Sequence, residues 1–97
     1  MWLFGYTDEI SGDGPIDVIY GECSTFVEAV AVLYDHVEKD AVEAEKYELD
    51  HYEQVLGQIR TVRDNPDILY QDDTYQMDTT FTDKLGEVDY FVTHTAA

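Results

Sequence analysis

The side chains able to do chemistry in this 97-residue chain are overwhelmingly carboxylates: 22 Asp and Glu stand against five Lys and Arg, three His and one Cys. Carboxylates serve as ligands for hard cations, as paired acids and bases, or as a source of negative field, and each use demands its own spacing. The segment "DEISGDG" fails the calcium-loop pattern, because the third and fifth positions counted from Asp8 are Ile10 and Gly12. Asp72 and Asp73 with Asp78 could meet a cation, but such groupings are common on acidic surfaces, and loosely held counterions are the simpler reading. His36, His51 and His94 share no metal-ligand spacing. Cys23 precedes a helix start, where the dipole favours a thiolate, yet no base accompanies it and the surroundings are acidic. With 22 acids some pair always lies at a catalytic distance, so pairing discriminates nothing. "SGDGP" lacks the lysine and the following helix of a phosphate loop. The chain is therefore expected to have no catalytic residue, no metal site, no cofactor and no small-molecule substrate; an enzyme is not expected.

What remains is charge. Residues 1–38 hold eight acids and no Lys or Arg, residues 39–63 hold six acids with four of the five basic residues, and residues 64–97 hold eight acids against Lys84. The densest stretch, "YDHVEKDAVEAEKYELDHYE", places eight carboxylates and two lysines in twenty residues. A formal charge of −17 argues against direct nucleic-acid binding, which needs Lys and Arg on phosphates, and against anionic lipid. At 44% apolar and 13% aromatic content the chain is too hydrophobic for a disordered acidic tail. A single cysteine, no signal-peptide pattern and no apolar run of membrane length point to a cytoplasmic protein. The length suits one domain spanning 1–97.

The elements that must position the acids follow from periodicity. Trp2–Thr7 and Ile16–Tyr20 read as strands around a turn at "SGDGP", with Gly21 ending the second. "TFVE" is a capping box, Thr25 to Glu28, opening a helix over 26–38 with Phe26, Ala29, Val30, Leu33, Tyr34 and Val37 on its apolar face. "DAVE" suggests a second box at Asp40, opening a helix to about Val62 with a stripe of Val42, Leu49, Tyr52, Leu56 and Ile59. Whether these helices form a hairpin or one bent rod is left open. Asp67–Tyr70 reads as a short strand, Thr74–Thr82 alternates with Tyr75, Met77, Thr79 and Phe81 on one face, and Val88–His94 follows a turn at "DKLGE". The expected fold is α+β, order β-β-α-α-β-β-β, with two helices packed on one face of a largely antiparallel sheet.

On this scheme Glu28, Asp35 and Glu38 share the wet sector of the first helix, and Asp40 and Glu43 follow at the junction. Glu28, Asp35, Glu38 and Asp40 lack an obvious basic partner, and Glu43 has one in Lys46. Asp50 on the second helix joins these partner-binding candidates, although Lys46 neighbours both it and Glu43 and is expected to pair with them, and Asp72, Asp73 and Asp78 are expected to form a second row on the sheet side. Among eight tyrosines, Tyr47 is the one expected to be exposed as an interface anchor. Carboxylates three and four apart on a helix sit about 5–6 Å apart at Cβ, a coarse match to phosphates along a strand. They also accept the same arginine forks.

In length, charge, α+β pattern and acid rows such as "YDHVEKDAVEAE", the chain resembles the small acidic DNA-mimic inhibitors of bacteriophages and mobile elements, the anti-restriction and anti-CRISPR proteins. The resemblance covers the whole chain in character and carries no diagnostic motif, so no residue role is transferred by it. It implies a stoichiometric inhibitor acting in an infected bacterial host. Its partner would be the basic DNA-binding surface of a CRISPR surveillance complex, with a multisubunit type I complex as one candidate, or of a restriction enzyme. Two other readings stand beside it: a halophile-type domain whose acids are a solvated coat, and an acidic adaptor for another basic partner.

Overall fold

The computed structural model describes residues 1–10, 14–65, 79–86 and 88–94. Strand β1 (Trp2–Ile10) and strand β2 (Gly14–Cys23) pair antiparallel. Helix α1 (Phe26–Glu43) follows, then a single 3₁₀ turn (Lys46–Glu48) and helix α2 (Leu49–Asp64). Strands β3 (Thr79–Thr82) and β4 (Asp89–His94) complete a four-stranded sheet of order β2-β1-β4-β3, antiparallel at every pairing. The expected α+β architecture holds, and the helices share one face of the sheet. The strand expected at Asp67–Tyr70 and the 74–78 part of the next one lie outside the described residues.

Apolar alternation builds the core from both layers. Trp2 and Phe4 on β1, Phe81 on β3, and Tyr90 and Val92 on β4 point to the helices, where Phe26, Ala29, Val30, Leu33, Val37, Val55 and Ile59 meet them. Thr25 caps α1 as its spacing predicts, its hydroxyl accepting the Glu28 N–H at 3.2 Å. On α2 the stripe is displaced from its expected course. Val55 and Ile59 are buried, Tyr52 and Leu56 half-buried, Leu49 exposed, and Val42, assigned to that stripe from sequence, is 85% exposed on α1.

That displacement has one cause. Asp40 does not start a helix; α1 runs through it to Glu43, and the break falls at Ala44, whose backbone is extended (φ −73°, ψ 152°). The Asp40 carboxylate is taken by groups on the sheet and so is not turned onto its own backbone as a cap. The helices then fold back as an antiparallel hairpin, bringing the Arg63 guanidinium at the end of α2 to 4.4 Å from the centre of the Tyr34 ring on α1. Because the 3₁₀ turn intervenes, Lys46 shares no helix with Glu43 or Asp50, and among the described residues the expected pairs do not form.

Geometry requires glycine at Gly5 and at Gly86. Register shifts between Phe4 and Gly5, where Tyr20 is the extra residue of β2, and a Cβ on Gly5 would lie 1.9 Å from the Val18 carbonyl oxygen. Gly86, at φ +72°, closes the β3–β4 turn. Side chains of α2 complete the neighbouring edge: the Gln58 amide donates to the Thr82 carbonyl at 2.7 Å and accepts its N–H at 3.2 Å, and Gln54 accepts the Lys84 N–H at 2.9 Å.

Candidate functional site

Position on α1 decides how the sequence-derived acids are used. Glu28 is exposed in the first turn, where negative charge suits the helix dipole, and accepts the Ser24 hydroxyl at 3.3 Å. Asp35 lies two turns further on, about 10 Å along the axis, and Glu38 about 5 Å beyond it; both are exposed. Lys39 and Val42 line a shallow depression together with Asp35 and Glu38. The outer face of α1 is thus a carboxylate row crossed by one lysine, and exposed Val27 and Val32 interrupt it.

Asp40 and Glu43 belong elsewhere. Asp40 points to the sheet, and its Oδ2 accepts the hydroxyls of Tyr20 at 2.8 Å and Tyr90 at 2.7 Å. Burial raises the pKa of both phenols, and the bond to the Asp40 carboxylate raises it further. They therefore remain hydrogen-bond donors at neutral pH. Tyr52 on α2 is raised for the same leading reason, burial, with the charges of Asp40 and Glu48 adding to it. These groups border an open groove of about 380 Å³ between the end of α1 and the sheet, with Tyr6 beside them and Glu43, Glu45 and Glu48 at its rim.

Three adjacent strands bring the tyrosines together. Tyr6 and Tyr90 face each other across the β1–β4 pairing. The bulge on β2 swings Tyr20 beside them, and its ring stacks on His36 at 4.7 Å. Of the groove residues, sequence reasoning named only Asp40 and Glu43 as binding candidates, and placed Tyr52 in an apolar stripe and Tyr20 at a strand end. Strand alternation did carry a signal for Tyr6, which shares a face with Trp2 and Phe4, whereas Tyr20 depends on the bulge and no local pattern announces it.

Tyr47 is 77% exposed, as expected, on the 3₁₀ turn, where a hydrogen bond to Glu48 raises its pKa. Asp50 is exposed on α2 and accepts the Gln54 amide at 3.1 Å. Asp72, Asp73 and Asp78 lie outside the described residues. The remaining candidates form no single line: Glu28, Asp35 and Glu38 follow the outer face of α1, while Asp40 and Glu43 turn to the tyrosine groove.

A further carboxylate, unremarked in sequence, is Asp83. It is 3% exposed; its Oδ1 accepts the Val88 N–H at 2.9 Å, and its Oδ2 accepts the Leu85 N–H at 3.3 Å and meets His51 Nδ1 at 2.6 Å. Burial alone would raise its pKa, but the backbone N–H groups and His51 outweigh it and hold the carboxyl below its ordinary value. Cys23 is half-buried, its thiol pushed up by burial and then by Glu28.

Eleven acids are exposed among the described residues, and of these Asp64 is the one that meets a basic side chain, Arg63, at 3.1 Å. Among the described residues no helix is long and apolar enough to cross a membrane. No protein-family model, curated protein or solved structure matches this chain.

Proposed function

We propose that the protein is a DNA-mimic inhibitor, which blocks a defence nucleoprotein by occupying its positively charged DNA-binding surface in the cytoplasm of an infected bacterial host. The target class is a CRISPR surveillance complex or a restriction enzyme. The observation that carries this reading is the set of exposed carboxylates left without a basic partner, ten of the eleven exposed acids in the described residues. A surface bound for water alone has no need of an ordered helical row, whereas a cleft lined with Lys and Arg meets such a row as it meets phosphates. The outer face of α1, through Glu28, Asp35 and Glu38, is the contact assigned to the partner, with exposed Tyr47 as an aromatic anchor at the far end of the helix pair. Steering by the net field speeds capture and weakens as salt rises.

The test is capture of partners from a bacterial lysate at about physiological salt, with and without excess duplex DNA. Capture of nuclease or CRISPR subunits that DNA displaces supports the proposal; capture indifferent to DNA overturns mimicry in favour of an adaptor. A chain unfolded in that buffer and restored by molar salt overturns it in favour of a halophilic coat. The triple variant Glu28→Gln/Asp35→Asn/Glu38→Gln then locates the contact. Affinity should fall by tenfold or more, about 1.4 kcal/mol, with urea stability unchanged or raised.

A further inference from the structure

The groove between α1, α2 and the sheet carries a feature that a phosphate-like surface does not need. Its walls are aromatic: the Tyr6, Tyr20 and Tyr90 rings lie with centroids 5.4–6.4 Å apart, inclined to one another by 46–60°, and Tyr52 adds a fourth ring from α2. The three sheet rings pack against one another, with Tyr90 only 4% exposed and one face of Tyr20 laid on His36, so the half-buried Tyr6, Tyr20 and Tyr52 supply the aromatic surface that the groove presents. At its floor Asp40 takes both tyrosine hydroxyls on Oδ2, and among the described residues no donor reaches Oδ1. Glu43, Glu45 and Glu48 stand at the rim, and among the described residues no Lys or Arg lines the space.

Aromatic rings and carboxylates together attract cations of a particular kind. Ring quadrupoles favour a large, weakly hydrated cation within about 6 Å of the ring centre, and a carboxylate supplies the opposite charge. A bare metal ion is a poor fit, because among the described residues no three His, Cys, Asp or Glu side chains come close enough to hold one. The volume of about 380 Å³ falls at the low end of the range for small organic ligands, roughly 300–1,000 Å³. The chain also contains an instance of the same chemistry on itself, where the Arg63 guanidinium covers the Tyr34 ring at 4.4 Å.

We infer that this tyrosine groove is a receptor for one organic monocation, a guanidinium or alkylammonium group of the kind an arginine or lysine side chain presents, held between the half-buried rings of Tyr6, Tyr20 and Tyr52 and the Asp40 carboxylate. The tyrosine hydroxyls have a defined part in this. Remaining protonated, they keep Asp40 oriented and solvate one of its oxygens, while the other is left for the incoming N–H. Glu43 and Glu45 at the rim draw the cation in. The site differs from the outer face of α1 and does not depend on the inhibitor reading, since it is assayed without any partner protein.

The experiment is titration of the folded protein with N-acetylarginine methylamide and, separately, n-butylammonium chloride. Aromatic ring signals are followed by two-dimensional NMR at constant ionic strength balanced with sodium chloride. The expected result is saturable shifts centred on Tyr6, Tyr20, Tyr52 and Tyr90, with exposed Tyr47 nearly still. Asp40→Asn should weaken binding about tenfold or more. Glu43→Gln/Glu45→Gln, at two exposed positions with little structural role, should weaken it about threefold and keeps the test valid if the Asp40 variant unfolds. A preference for the arginine probe identifies a guanidinium as the ligand, and a preference for butylammonium an amine. Shifts that rise without saturating, that spread over Tyr47 and α1, or that ignore both groove variants while falling in the Glu28→Gln/Asp35→Asn/Glu38→Gln protein would overturn the assignment and leave only diffuse counterion attraction.

Discussion

Asp83 and Asp35 carry the same side chain, and the fold uses them in opposite ways. Asp83 sits under the β3–β4 turn, 3% exposed, with two backbone N–H groups and His51 in place of water. Asp35 stands on the outer face of α1, where among the described residues no donor reaches it. Asp40 is intermediate: half-buried, bound by two phenols through one oxygen, and lining a groove. A carboxylate becomes structural where several donors converge on it, whether from its own turn or from distant elements, and stays a source of field where none do. Net charge alone does not distinguish these cases, because each carboxylate adds the same −1 to the total.

The contrast is sharpest at Asp83. Asp83→Ala strips partners from two turn N–H groups and from His51, and should lower stability in urea by about 3 kcal/mol, a fall of more than about 10 °C in Tm for a chain of this size. A loss below about 1 kcal/mol would remove the distinction from Asp35. Acid provides a second view. Because the folded state holds the Asp83 carboxyl below its ordinary value, its contribution is complete above the unfolded pKa of about 3.9 and is lost as pH falls through the lower folded one. The gap between wild type and Asp83→Asn should therefore be wide at neutral pH and close below about pH 4.

A smaller effect is expected at the intermediate case. Tyr20→Phe removes one of two hydrogen bonds to Asp40 and keeps the ring on His36, so urea unfolding should show a loss of about 1 kcal/mol. A neutral result would mean that Tyr90 alone holds Asp40 and that the groove is less ordered than its geometry implies. The smallest effect belongs to Val42, which the sequence pattern assigned to the core and the fold leaves in solvent. Val42→Gln should change stability by less than about 0.5 kcal/mol; a loss of 2 kcal/mol, the scale of a buried valine, would restore it to a packed face.

Much of the fold was legible because its signals are local. The buried residues of α1 recur at three and four positions, Phe26 to Val37, and Thr25 caps them as the spacing implies. Thr79 and Phe81 turn inward and Thr80 and Thr82 outward, as alternation requires. The misplaced boundary at Asp40 shows where such signals mislead. "DAVE" satisfies the capping pattern, but a cap works only if its carboxylate is free to fold onto the backbone, and here Tyr20 and Tyr90 hold it from across the sheet. Moving the break to Ala44 then exposed Val42, brought Val55 into the core and separated Lys46 from both acids expected to pair with it.

The candidate site divides along the same line. Composition and order of residues were enough for the α+β class, the heavy surplus of negative charge, the exposed acids of the first helix and the exposure of Tyr47, since each follows from charge counts or from neighbours a few positions apart. The fates of Asp40 and Asp83 rest on partners 20, 32 and 50 residues away, and on a one-residue bulge that aims Tyr20 at the helix. Periodicity reports the face on which a side chain lies. Which distant donor meets it there is fixed by strand register, helix length and the crossing of the two layers, and these are properties of the packed chain.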